Sequence, residues 1–391
     1  MSGLVLMLSA AHPPEDVRIV AKQGAALVEA GLRVRHLAPG HAYQTTLQGV
    51  EIASHGPLPQ GWRARLRGIP RLARHAAAGR PAVIHAHEPD SWVAALLAGR
   101  RCGARVVLDV HEHYPSRLDP RLPAALRPLA RFALRGFCRV AGWAADAVVV
   151  AKDGLDDAFG GPARCVKVRN YATPAPIVPR AHAPGPLRLV HLGALGRARG
   201  AFTMLLTLSR LPPQTELVLA GRFTDGSEAE FTTAAAELGL TPRVTSLPWT
   251  PREAALRVAA ACDIGLVLFQ PGVENHRLAL PHKLFDCMLA GLPVIVPDFA
   301  EEVAAVVREA ECGLTVNTAD PAAIAAAVQR LADPALRNAM GARGREAALT
   351  RFGWAGEAAR LVGLYRGLMA ASQVATATAP PSGWPSARAP R

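Results

Sequence analysis

Apolar positions along this chain follow two alternating rhythms. Short β-branched runs at 4–9, 33–37, 82–85, 105–109, 147–151 and 166–169 are separated by Ala/Leu/Arg stretches. Those stretches, near 17–30, 63–78, 91–99 and 128–142, carry helical spacing. Strands alternating with helices of this length predict a parallel sheet covered on both faces. The alternation stops at 171–186, which holds five prolines and no period, and so reads as a linker. It resumes at 187–193 and continues through 216–220, 243–247, 263–269, 293–296 and 313–316. The pattern predicts an α/β chain of two doubly wound, Rossmann-like domains, 1–175 and 187–372, joined by a Pro-rich linker at 176–186. The Ala/Thr/Pro/Ser-rich stretch 373–391 is expected to be a disordered tail. Ligands of open α/β sheets bind beyond the carboxyl ends of the strands, so two such domains facing a central cleft would gather their chemistry there.

Length and composition agree with this picture. A chain of 391 residues exceeds one ordinary core, and 50% hydrophobic against 19% charged residues excludes wholesale disorder. No apolar run reaches the ~18 residues of a membrane span. Residues 1–9 lack a basic lead and soon meet Glu15 and Asp16, which predicts a buried first strand rather than a signal peptide. The six cysteines are scattered, as expected of reduced core residues in a cytoplasmic protein.

Charge changes the picture more. The formal net charge is +13, and fifteen arginines face five acidic residues between Trp62 and Val140. Such a surface attracts phosphates, whether of nucleic acid, anionic lipid or nucleotide. Aromatics at 5% and the lack of a recognition motif argue against nucleic acid. Arg127, Arg131, Arg135 and Arg139 recur every four residues, with Leu126, Leu129, Phe132, Phe137 and Val140 as the expected core-facing set. Arg63, Arg65, Arg67, Arg71 and Arg74 surround Trp62, Leu66, Ile69 and Leu72. Either stripe is a solvated face or a peripheral contact with an anionic membrane.

Candidate chemistry falls at predicted strand ends. The turn from Gly193 to Gly200, with Arg197 and Arg199, follows a strand and precedes a helix, the setting of an anion site. A second strand leads into a polar loop with Glu274, Asn275, His276 and Arg277, then a helix opened by Pro281. Lys283 in its first turn opposes the helix dipole unless an anion neutralises it, and Asp286 can accept hydrogen bonds from ribose hydroxyls. In the first half, His85-x-His87 and His111-x-His113, with Glu88 and Glu112, offer ligands for a metal-dependent hydrolase.

The segment 280–298 resembles the donor-binding segment of family-four (group 1) glycosyltransferases, with Asp286 at the second Glu of that family's Glu-x7-Glu motif and Leu278 at the first. The Gly193–Gly200 turn is similar to its phosphate loop, with Arg199 for a lysine and Ala194 for an arginine that Arg197 is expected to replace. His12-Pro13-Pro14-Glu15-Asp16-Val17-Arg18, the stretch around His87, and Asp109-Val110-His111-Glu112 resemble further signatures. The resemblance implies a GT-B fold and a retaining transfer from a UDP- or GDP-sugar to a glycan or lipid-linked acceptor, with neither metal nor cofactor. It places His87 at the donor sugar and Gly193, Arg197, Arg199, Glu274, Lys283 and Asp286 around the donor. His12, Asp16, Arg18, His111 and Glu112 fall on the acceptor side. A nucleotide-sugar epimerase shares this architecture.

Overall fold

The computed structural model describes residues 3–40 and 45–377, with side chains to Ala370. The expected tail is helical through Ala377, and its remainder lies outside the described residues. The first sheet contains β1 (Leu4–Leu8), β2 (Arg33–Ala38), β3 (Thr45–Leu47), β4 (Val50–Ser54), β5 (Val83–Ala86), β6 (Arg105–Val110), β7 (Ala147–Val150) and β8 (Cys165–Lys167). Their order is β3-β4-β2-β1-β5-β6-β7-β8. Strands β1, β2, β4, β5 and β6 pair in parallel, and β3 runs antiparallel to β4. The second sheet contains β9 (Arg188–Leu195), β10 (Glu216–Phe223), β11 (Val244–Leu247), β12 (Ile264–Leu266), β13 (Val294–Pro297) and β14 (Gly313–Val316). Its order is β11-β10-β9-β12-β13-β14, all in parallel.

Both sheets follow from their sequences. The central strands β1 and β13 are buried on both faces, as near-continuous apolar runs require. In each sheet the strand order reverses beside the first strand of its series, β1 or β9. That reversal point is where open α/β sheets bind ligands.

By compactness the chain separates into two units. One comprises the chain to Asp109, Gly142–Val148 and the chain from Ala358; the other comprises Val110–Ala141 and Val149–Glu357. This division differs from a single cut at 175–187. In the first unit, the C-terminal helix Trp354–Ala377 brings back Leu361 and Tyr365, both fully buried, and the Tyr365 hydroxyl lies 2.8 Å from His85 Nδ1 on β5. Burying those side chains on the first sheet removes apolar area from water that a free tail would leave exposed.

The Pro-rich run is not a loose tether. Within the second unit Ala172 pairs with Gly353, Ile177 enters the core, and His182 is buried. Its carbonyls are met by side chains: Arg345 donates to Ile177 O at 3.1 Å, Arg337 to Ala183 O at 2.8 Å, and Asn338 to His182 O at 2.9 Å. Extended backbone without a neighbouring strand needs such donors.

Candidate functional site

In the first unit the chain leaves β1 into the loop that carries His12. Glu88, just beyond β5, accepts the backbone N–H groups of Ala10, Ala11 and His12 at 2.9, 2.8 and 2.8 Å. One buried carboxylate thus fixes three consecutive peptide groups, a charge-assisted arrangement stronger than neutral bonds. Asp16 caps the next helix, accepting from Arg18 N and Ile19 N, and contacts His12 Nδ1 at 3.0 Å. That helix opens as a π-helical segment, Val17–Gly24, and projects Arg18 and Gln23 inward.

Asp109, at the end of β6, is the hub beneath. Arg18 grips it with Nε at 3.1 Å and Nη2 at 2.8 Å, and Gln23 Nε2 adds a third bond at 2.8 Å. His87 Nδ1 lies 3.3 Å from the same carboxylate, and its ring stacks on His85 at 4.9 Å. All of these side chains are buried; His12, with 28% of its side chain exposed, is the imidazole that reaches solvent. Burial opposes protonation of His12, but Asp16, Glu88 and Asp109 outweigh it and raise its pKa.

His85, His87 and Asp109 bring ligand-type atoms within 4.8 Å of one another. Asp109 is already engaged by a guanidinium, which opposes a second cation at that point. The cluster reads as a hydrogen-bonded ion-pair network. Nearby in this unit a cavity of about 270 Å³ opens between the loop after β4 and the helix Gly61–Ala78, lined by His55, Arg65, Ile69, Arg71, Leu72 and Asp90 among others. Arg65 is held on Asp90 through two bonds of 2.7 and 2.8 Å.

In the second unit the turn after β9 has the geometry its glycines require. Gly193 and Gly200 have φ of +81° and +84°, and a β-carbon at Gly200 would come within 2.2 Å of Leu268 O. Asp225 accepts from Arg197 N at 2.8 Å and holds the turn in place. Lys283, in the first turn of the helix His282–Leu289, runs beneath Gly193; a β-carbon there would lie 3.9 Å from its Cε. Its ammonium donates to His191 Nε2 at 2.7 Å and to Ala194 O at 3.3 Å. His191 in turn donates from Nδ1 to Leu266 O at 3.0 Å. Lys283 is thus a buried cation hydrogen-bonded to neutral groups. Burial, with Arg199 adding to it, lowers its pKa to about 7. Burial and the lysine together push the His191 pKa well down.

Several expected site residues are occupied otherwise. Arg197 is exposed, ion-paired with Glu230 and lying over Phe202 at 4.1 Å, so it does not stand in for the missing arginine at Ala194. Its side chain points out because Asp225 fixes its backbone at the rim of the turn. Arg199 is half-buried, 5.8 Å over Phe269, and burial lowers its pKa. Asp286 is bound through Oδ1 by Arg252 at 2.8 Å, and Glu274 pairs with Arg277 at 2.6 Å. In the first-half set, Arg18 and Asp16 are engaged by Asp109 and by a helix start, so they shape the site from below. His87 is wholly buried rather than open to a sugar, because His85 and Asp109 enclose it. Glu112 pairs with Arg117, and His111 is half-buried.

Sequence reasoning missed His191, Arg252 and Gln23. His191 sits inside an apolar strand, where only three-dimensional pairing reveals its use. The hydrogen-bonding role of Glu88 was equally hidden, although the residue itself stood out.

Two doubly wound sheets, one wholly parallel and one parallel but for β3, with polar clusters at their strand ends, are those of the GT-B fold. Sucrose-phosphate synthase from Thermosynechococcus elongatus matches with a TM-score of 0.79 at 20% identity, over 95% of this chain and 100% of that one. HepE of Anabaena, solved with UDP and glucose, gives 0.69 at 16% identity, over 93% and 100%. The trehalose-phosphate synthase of Burkholderia vietnamiensis gives 0.65 at 14%, over 94% and 100%. Residues 17–170 match the glycosyl transferase 4-like domain, and residues 186–333 match the glycosyl transferases group 1 family. The chain belongs to the group 1 glycosyltransferases. It is also 30% identical over 141 residues to the D-inositol 3-phosphate glycosyltransferase of Acidothermus cellulolyticus, a match that spans 36% of this chain and 30% of that relative.

Proposed function

We propose that this protein transfers a hexose from a UDP- or GDP-sugar to a hydroxyl of a glycan or lipid-linked acceptor, with retention and without a metal. The observation that carries the reading is the buried ammonium of Lys283, set under the Gly193 turn with neutral hydrogen-bond partners and with Arg199 acting on it. A buried cation held by neutral groups is costly alone and is stabilised by an anion. In a nucleotide-sugar, the diphosphate supplies that anion and gains negative charge as the sugar leaves. Lys283 and Arg199 then stabilise the leaving group more in the transition state than in the ground state. The Anabaena enzyme solved with UDP and glucose supports this class of donor. Asp286, steadied by Arg252, offers acceptor oxygen to the ribose, and Glu274 completes the donor side.

On the acceptor side we assign the partly exposed imidazole of His12 to the reacting groups. Glu88 and Asp16 position it, and His87, Arg18 and Asp109 form its rigid floor. The cavity beside Arg65 and Arg71 suits part of the acceptor. His111 and Glu112, on the loop after β6, belong to the second unit and are assigned to acceptor contacts in their own right. We place the reaction in the cytoplasm, at the inner face of a membrane when the acceptor is lipid-linked. Among the described residues no helix is long and apolar enough to cross a membrane.

The test is a thermal-shift panel with UDP, GDP, ADP and their sugars, followed by transfer assays with the donor that responds. A nucleotide at ~100 times its dissociation constant adds about 2.7 kcal/mol of apparent stability. No shift with any nucleotide overturns the proposal. Donor interconversion without an acceptor would replace it with epimerisation.

A further inference from the structure

Two helices of this chain present to water what helices normally bury. In Arg127–Ala144 the inward side is formed by Cys138, Ala141 and Gly142, with Leu134 and Phe137 half-buried. Leu129, Phe132 and Val140 point outward, 68%, 76% and 69% exposed, and Leu126 precedes them at 51%. Together with Gly136 they follow steps of three and four residues, so they form one continuous stripe. Arg127, Arg131, Arg135 and Arg139 form the adjacent stripe, and all four are exposed. This corrects the expectation that Leu126, Leu129, Phe132 and Val140 face a core.

The helix Gly61–Ala78 repeats the pattern independently. Its buried side is Leu72, Ala73 and Ala76. Trp62 is 67% exposed and Leu66 55%, and Pro70, four residues further on, is exposed too. Arg63, Arg67 and Arg74 are exposed alongside, and Arg63 lies 5.2 Å over the Trp62 ring.

We propose that each helix is a docking element for an anionic lipid surface, its apolar stripe entering the headgroup–acyl boundary and its arginines meeting lipid phosphates. A bilayer supplies both halves of the complement, apolar depth beside negative charge, over the length of an in-plane helix. A second copy of this chain does not, because its formal charge of +13 would set arginines against arginines. The proposal rests on the glycosyltransferase reading only for its purpose, which is to bring the enzyme to a lipid-linked acceptor.

The experiment is co-sedimentation of the full chain with phosphatidylcholine vesicles, with and without phosphatidylglycerol. Binding is expected to anionic vesicles at low salt and to fall as ionic strength shortens the Debye length to ~3 Å at 1 M. Arg127→Gln/Arg135→Gln/Arg139→Gln should weaken binding by about tenfold or more, since each charge near the surface is worth up to roughly fivefold. Leu129→Ser/Phe132→Ser in one helix and Trp62→Ser/Leu66→Ser in the other should each lower it at constant charge. These positions are exposed, so nucleotide thermal shift should match wild type in every variant. Equal binding to both vesicle types, or to neither, overturns the proposal. So does a dimer, seen by sedimentation without lipid, that Leu129→Ser/Phe132→Ser dissolves. Because this assay reads binding rather than turnover, it fails separately from the transfer reading.

Discussion

Lys283 is the side chain whose protonation state decides most. Its pKa of about 7 means that the ammonium form prevails below that pH and the neutral amine above it. The groups acting on it are Arg199 from the turn, His191 from β9 and Cys287 from its own helix. A bound diphosphate favours the ammonium, so binding above pH 7 takes up a proton. Donor affinity should therefore be level below pH ~7 and weaken above it, by up to about tenfold per pH unit, as read by calorimetry with an intact nucleotide-sugar. Lys283→Met should flatten that profile and reduce turnover by about 2–4 kcal/mol of transition-state stabilisation. A profile unchanged in the variant would detach the lysine from the diphosphate. Glu88 acts at one remove. Glu88→Gln presents an amide that cannot accept all three N–H groups, so kcat should fall at least about tenfold from the misplaced loop, with KM for the donor unchanged. Equal kcat in both proteins would reduce Glu88 to a structural role. The sequence revealed the lysine through its place in a helix start. It concealed His191, because a histidine within an apolar run carries no local sign of its partner ninety-two residues away.

At the scale of elements, strand and helix order was legible because two periods alternate in apolar residues. The hairpin of β3 and β4 was not. Both strands are short, and β3 lacks a buried side to mark its period. The cue that was present is the pair Gln48-Gly49, whose φ values of 48° and 80° make the two-residue turn favoured between antiparallel strands. The arginine helices show the opposite failure. Periodicity identifies an apolar stripe but not which side of a helix meets the core. The Pro-rich run was recognised as non-repetitive but not as anchored. Its anchor is Asp263, whose side chain is 1% exposed and meets Arg180, His182, Arg188 N and Arg337. Burial alone would raise the Asp263 pKa; His182, Arg188 N–H and Arg180 outweigh it and lower the value to about 2. This contribution is therefore complete above the ordinary pKa of 3.8 and disappears as pH falls through about 2. Asp263→Asn should cost about 3 kcal/mol in urea unfolding at neutral pH, because it leaves the buried Arg337 guanidinium without its carboxylate. It should also make the remaining stability less acid-sensitive. Identical midpoints at pH 7 would show the run is held by packing alone.

For the whole molecule, the returning helix Trp354–Ala377 governs how the first unit is completed. Residues after Glu357 should be dispensable to the second unit and indispensable to the first. A chain ending at Glu357 should keep its nucleotide response while its first unit becomes sensitive to protease and its buried Trp92 becomes exposed to quenchers. Survival of a protected Trp92 would show that the first sheet closes without help. The position of Tyr365 also has a consequence for synthesis. Domains commonly fold in the order in which the ribosome releases them. Here the strands made first cannot finish burying His85 until nearly the last described helix has emerged, so the second unit has every residue it needs before the first does. The strands of the first unit would then stay uncovered longest during synthesis, and a chain broken off before Tyr365 would damage strands that were translated far earlier.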